Sequence, residues 1–185
     1  MVSISMIPPQ HSLDPGEMQR RALRIRLVLT DVDGTLTDGG VFYSEAGEVM
    51  KRFDLRDGMG VERLLELGVE TAFITRESST LVQRRADKLG VALYARVNDK
   101  NAALPAILVR SALSNDEVAY IGDDVNDLPI IHTVSLTGIT AAPADAQPDV
   151  RRSVHYICSR PGGHGAFREF VDLLVSLKNR QGETR

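Results

Sequence analysis

Asp31 and Asp33 stand one residue apart at the end of the apolar run Leu27-Val28-Leu29-Thr30, with Gly34, Thr35 and Thr37 following. Alone, an Asp-x-Asp-Gly segment also suits a surface turn of solvated aspartates. Three further groups change its meaning: Thr75 after a second apolar run, Lys100 just beyond a third, and Asp123-Asp124 after a fourth. Open α/β sheets bind ligands at the carboxyl ends of their strands, so these groups are expected to converge. Four carboxylates would then face one lysine. Two like charges about 4 Å apart repel by roughly 4 kcal/mol at an effective dielectric near 20. Such a cluster calls for a cation, and carboxylate oxygens with a partly open shell suit Mg²⁺. An aspartate beside Mg²⁺ can attack phosphorus, and a second can move protons to the leaving oxygen and from water. Lysine and threonine can hold the transferring oxygens, since phosphoryl transfer is mostly positioning and charge stabilisation.

The elements that must carry these groups alternate. A short helical stretch opens at Pro15-Gly16-Glu17, and the first strand ends at the acidic pair. Val41 to Phe53 alternates apolar and polar residues around Ser44-Glu45-Ala46-Gly47 and predicts a β-hairpin projecting beside the site. A helix after Asp57-Gly58 stops at Gly68, and Val69–Thr75 is the next strand. A helix over Ser78–Leu89 precedes strand Val91–Tyr94, and a helical stretch begins at Lys100 with Pro105 an awkward residue inside it. Strand Val118–Gly122 ends at Asp123-Asp124. A short helix, strand Val134–Leu136, a polar loop, strand Val154–Ile157 and a final helix from about Gly165 complete the pattern. Strands alternating with helices imply an α/β fold with a doubly wound, mostly parallel sheet. No insertion is long enough for a cap domain. The expected division is an arm and short helix over 1–24, one domain over 25–178 and a tail over 179–185.

Composition narrows the function classes. The net charge of -3 argues against a nucleic-acid partner held by a broad basic surface. No apolar run reaches the length of a membrane span, and the first residues lack a secretory hydrophobic segment. Cys158, the single cysteine, lies among apolar neighbours as a buried filler and has no partner for an intrachain disulfide. A cytoplasmic protein is expected.

Asp31-Val32-Asp33-Gly34-Thr35 resembles the first motif of the haloacid dehalogenase superfamily. Thr75, Lys100 and Gly122-Asp123-Asp124-Val125-Asn126-Asp127 resemble the second, third and fourth. Arg56-Asp57-Gly58, Asn126-Asp127-Leu128-Pro129 and Gly162-Gly163-His164-Gly165-Ala166-Phe167-Arg168-Glu169, with the hairpin, extend the resemblance to the capless 3-deoxy-octulosonate 8-phosphate (KDO-8-phosphate) phosphatases. The resemblance runs from about Ile25 to Leu177. It implies a Mg²⁺-dependent phosphatase acting on a small phosphorylated 2-keto-3-deoxy sugar acid. Asp31 would be the nucleophile, Asp33 the acid/base, and Thr75 and Lys100 the phosphoryl-holding residues. The metal would bind the Asp31 side chain, the Asp33 backbone carbonyl and Asp123, with Asp124 close by. It also implies a homotetramer whose hairpins pack together at the centre, the segment Arg160–Arg168 helping to close a neighbouring subunit's site.

The chain departs from that pattern after the second strand. Many members have Thr-Gly-Arg there; this chain has Thr75-Arg76-Glu77, adding bulk where backbone passes near ligand. Glu77 with Arg85 and Lys88 resembles phosphatases acting on nonulosonate 9-phosphates, sugar acids of the sialic type. Arg76, Glu77, Arg85, Lys88 and Arg168 are therefore the candidate substrate-binding residues, the bland alternative being solvated helix charges. Two other classes compete. A receiver-like signalling module needs an aspartate after a middle strand, where this chain has Ala95-Arg96. A non-catalytic regulatory relative would have no need of the full acidic, threonine and lysine set.

Overall fold

The computed structural model describes residues 13–179. Apart from Leu13 and Asn179, the expected N-terminal arm and C-terminal tail lie outside the described residues. Six parallel strands form one sheet in the order β5-β4-β1-β6-β7-β8. They are β1 (Leu27–Thr30), β4 (Glu70–Ile74), β5 (Ala92–Tyr94), β6 (Val118–Ile121), β7 (Ile139–Ala142) and β8 (Tyr156–Ile157). The remaining two, β2 (Phe42–Ser44) and β3 (Gly47–Met50), pair antiparallel as the hairpin. The helices are α1 (Pro15–Arg24), α2 (Leu55–Glu66), α3 (Thr80–Leu89), α4 (Lys100–Ser111), α5 (Leu128–Ser135), α6 (Pro148–Ser153) and α7 (Ala166–Asn179).

Period-2 alternation feeds two cores from one sheet. Val28, Phe73, Ala119 and Ile121 face a layer containing Ala22 of α1, Leu64 of α2, Ala86 of α3 and Phe170 of α7. Leu27, Leu29, Ile74 and Tyr120 face Leu104 of α4, Ile130 of α5 and Val150 of α6. This is a three-layer α/β fold without a cap, as the alternation of elements implied. No helix among the described residues is long and apolar enough to cross a membrane.

The expected strand Val134–Leu136 is not a strand. Pro129 opens α5, and Ile130, Ile131 and Val134 bury one helical face, so the stretch is helical through Ser135. The next strand begins at Ile139, after Gly138, where a Cβ would overlap the Val118 carbonyl. The supposed polar loop contains α6, opened by Pro148. Helix α4 runs on through Pro105, which forgoes one backbone bond in an otherwise regular helix.

Candidate active site

Chain geometry, rather than strand pleat, places the two leading aspartates. β1 ends at Thr30, yet the Asp31 N–H still donates to the Ile121 carbonyl at 2.9 Å, holding Asp31 against β6. The chain then turns: the Val32 carbonyl accepts from the N–H groups of Thr35, Leu36 and Thr37. Gly34 sits at φ +85°, and a side chain there would run into the Asp123 carboxylate. Because the chain leaves the strand after Asp31, the two carboxylates take different partners. Asp31 Oδ1 lies 2.6 Å from Lys100 Nζ, whereas Asp33 Oδ1 lies 2.5 Å from Lys51 Nζ.

Lys100 is delivered by the first turn of α4, capped by Asp99, whose carboxylate accepts from the Ala102 N–H. Its side chain is 1% exposed. Burial works against the Lys100 charge, but Asp31 and Asp127 on either side hold its pKa above the ordinary lysine value. Asp127 Oδ1 lies 2.6 Å from Lys100 Nζ and accepts the Tyr120 hydroxyl at 2.7 Å; Oδ2 accepts the Asp123 N–H at 3.0 Å. Gly122 makes room for this, since a Cβ there would overlap the Asp127 carboxylate. Asp123 Oδ1 in turn accepts the Thr35 hydroxyl.

Asp31, Asp123 and Asp127 present carboxylate oxygens within 4.8 Å of one another. Burial, then the nearby Asp127, pushes Asp31 up to about 7. Burial, then Asp31 and Asp127, pushes Asp123 up to about 8. Such a cluster fits a divalent cation, which would favour both ionised carboxylates. Asp31 and Asp123 are the side chains to hold it, since both Asp127 oxygens are already engaged. Asp124 is used differently: its carboxylate accepts the Val125 N–H at 2.6 Å and caps a short 3₁₀ turn.

Asp31, Asp33, Thr75, Asp123 and Asp124 open into a cleft of about 480 Å³ shared with Arg76, Glu77 and Asn98. Thr75 is buried and its hydroxyl accepts the Glu77 N–H at 3.1 Å, fixing the turn that carries Arg76 and Glu77 along the rim. The other three candidate substrate residues do not line this cleft. Arg85 lies over the Phe53 ring and donates to the Asp54 carbonyl. Lys88 is exposed on α3, and the Arg168 guanidinium is held by Asp172 on α7.

Sequence reasoning gave no role to Asp127, Tyr120, Thr35 or Lys51. Asp127 was in view as the end of the Asp123-Asp124-Val125-Asn126-Asp127 run, and its four-residue offset from Asp123 was the available signal. Tyr120 read as strand core, which it also is. Lys51 read as one more polar residue on an alternating hairpin.

The glycine-rich segment braces the acidic turn. The Gly163 N–H donates to the Thr35 carbonyl at 3.0 Å, and the Gly162 N–H to Asp145. A Cβ on Gly162 would overlap the Gly34 carbonyl, and one on Gly163 the Asp38 backbone. The segment is thus seated on its own chain's acidic turn, with Arg160 and His164 exposed.

No family model matches the chain. It is 37% identical over 162 residues to the 3-deoxy-D-manno-octulosonate 8-phosphate phosphatase KdsC of Yersinia pestis, covering 87% of this chain and 85% of that protein. The Escherichia coli K12 KdsC is 37% identical over 166 residues, covering 89% and 87%. A crystal structure of 3-deoxy-D-manno-octulosonate 8-phosphate phosphatase from Moraxella catarrhalis, in complex with magnesium ion, phosphate ion and KDO, superposes with a TM-score of 0.83 at 33% identity. That match covers 89% of this chain and 94% of that one. The cobalt-bound enzyme from Haemophilus influenzae gives a TM-score of 0.82 at 33% identity, covering 89% and 95%. With the fold, the acidic cluster and sequence identity agreeing over most of its length, the chain belongs to the haloacid dehalogenase-type 3-deoxy-D-manno-octulosonate 8-phosphate phosphatase family and is a phosphoric monoester hydrolase.

Proposed function

We propose that this chain hydrolyses the terminal phosphate of 3-deoxy-D-manno-octulosonate 8-phosphate through an aspartyl-phosphate on Asp31. The carrying observation is the buried Lys100, 2.6 Å from Oδ1 of Asp31, which lines an open acidic cleft. The geometry supports a division of labour. An Asp31 oxygen attacks phosphorus while the bond to the sugar oxygen breaks, and Asp33 gives that oxygen its proton. Asp33 then takes a proton from water as the water oxygen attacks the same phosphorus, and the bond to Asp31 breaks, returning inorganic phosphate and the starting protonation states. Lys100 and Thr75 hold the phosphoryl oxygens. Asp31, Asp123 and the Asp33 backbone carbonyl are the groups to hold Mg²⁺, which supplies charge neutralisation for an anionic substrate entering an anionic site.

A nonulosonate 9-phosphate is the second reading, favoured by Glu77 on the cleft rim, where a carboxylate accepts hydrogen bonds from sugar hydroxyls. Arg85 and Lys88, named beside it in the sequence, lie outside the cleft of a single chain. Comparing kcat/KM for the eight- and nine-carbon substrates decides between them. Poor turnover of both would overturn the sugar-acid assignment.

The proposed assembly is a homotetramer, because the hairpin exposes Phe42, Tyr43, Val49 and Met50 together, half or more of each to solvent. In that assembly Arg160 and His164, exposed beyond the buried glycines, are the residues of the 160–168 segment that meet a neighbouring site. We place the enzyme in the cytoplasm, which fits its single, buried, unpaired cysteine.

A further inference from the structure

We propose that Lys51, at the base of the hairpin, is a positioning residue for Asp33. The inference rests on the reading of Asp33 as the proton-moving group and adds what holds it in place. Lys51 follows directly on β3, a strand whose Val49 and Met50 are half exposed, yet the Lys51 side chain is only 1% exposed. A lysine withdrawn from water that far needs an anion. Its Nζ lies 2.5 Å from Asp33 Oδ1 and 3.7 Å from Glu48 Oε2.

The contact is directional. Lys51 takes one Asp33 oxygen, while Oδ2 is buried and has no hydrogen-bond partner among the described residues. A buried, unpartnered carboxylate oxygen is costly unless the working site gives it something to bond. Beside a cleft that admits a phosphate ester, that is the leaving oxygen or the incoming water. An untethered aspartate turns about two side-chain torsions and exchanges its oxygens. One tethered at Oδ1 presents Oδ2 within the half ångström that proton transfer demands.

The tether is itself braced. Phe53, two residues beyond Lys51, bridges to Thr37 on the acidic turn. Arg52 Nη1 donates to the Gly163 carbonyl at 2.6 Å, locking the hairpin base to the glycine-rich segment. Glu48 Oε1 accepts the Ser79 hydroxyl at 2.5 Å, tying the hairpin to the residue ahead of α3. A packing role alone would be met by methionine, which has nearly the same length and no charge to bury.

Lys51→Met and Lys51→Arg test this against 3-deoxy-D-manno-octulosonate 8-phosphate and p-nitrophenyl phosphate. With the sugar phosphate, Lys51→Met should lower kcat about 100-fold and leave KM within about twofold, since a misplaced catalytic group costs rate rather than binding. With p-nitrophenyl phosphate, whose leaving group departs without a proton, it should give a rapid burst of about one p-nitrophenolate per site. Slow turnover should follow, because only water attack then needs Asp33. Lys51→Arg should recover at least about tenfold of the lost kcat. A structural role would slow both steps together with a fall in melting temperature that arginine does not repair, and that result overturns the proposal. Wild-type kcat in Lys51→Met overturns it too. A wild-type enzyme inactive on both esters removes the phosphatase reading and this inference with it, whereas an active wild type with an unaffected Lys51→Met removes the inference alone.

Discussion

Lys100 and Asp127 form an ion pair 2.6 Å long whose side chains are 1% and 0% exposed. The pair also anchors the Tyr120 hydroxyl and the Asp123 N–H, so it joins β6, α4 and the turn bearing the Asp123 carboxylate. Asp127→Ala strips a partner from a buried ammonium, a buried phenol and a backbone donor at once. Breaking a buried pair in this way costs about 3–5 kcal/mol. Urea unfolding should show a loss of that order, and phosphate release should fall with it as Lys100 loses its fixed position.

Asp31→Asn separates chemistry from stability. Phosphate release should drop to background, because an amide cannot form the acyl phosphate. The fold should persist with little change in melting temperature. Burial already holds the Asp31 carboxyl up at about 7, so a neutral side chain is tolerated there, while Lys100 keeps Asp127. Wild-type turnover in this variant would remove Asp31 as nucleophile.

The acidic cluster sets the response to pH and metal. Folded Asp31 and Asp123, raised to about 7 and about 8, hold protons that unfolded aspartates lose near pH 4. Over that window the folded chain binds more protons than the unfolded one, so metal-free stability falls as pH rises from about 4 through about 8. Mg²⁺ held by these carboxylates would take the place of those protons. Calorimetry should therefore show a larger rise in melting temperature on adding Mg²⁺ near pH 8 than near pH 5, reversed by a chelator.

Gly162→Ala tests the brace on the acidic turn. Its new methyl would meet the Gly34 carbonyl, which is backbone and cannot swing aside. We expect a stability loss of about 1–3 kcal/mol from this overpacking. The acidic turn, displaced by the same contact, should lose activity in the folded variant.

Much of this was legible in the sequence for physical reasons. A β1 of four buried residues ending just before Asp31, and glycines ending α3 and preceding Val69, are local signals that tertiary packing did not overrule. Val134–Leu136 misled because a short apolar run fits a buried strand or a helix face equally well, and Pro129 upstream decides it. The carboxylates, Thr75 and Lys100 were visible because strand ends carry ligands. Lys51 and Asp127 were not, because their meaning lies in partners distant along the chain or hidden within a turn. Arg85 shows the converse: helix periodicity puts it on a face, but only Phe53 and the Asp54 carbonyl reveal what that face meets.

The seat of Gly162 and Gly163 on Gly34, Thr35 and Asp38 has a consequence for synthesis on the ribosome. The acidic turn is translated well over a hundred residues ahead of the glycines that brace it and of α7, which covers the core. A nascent chain therefore carries its acidic turn unbraced until the glycine-rich segment and α7 have followed it out of the exit tunnel.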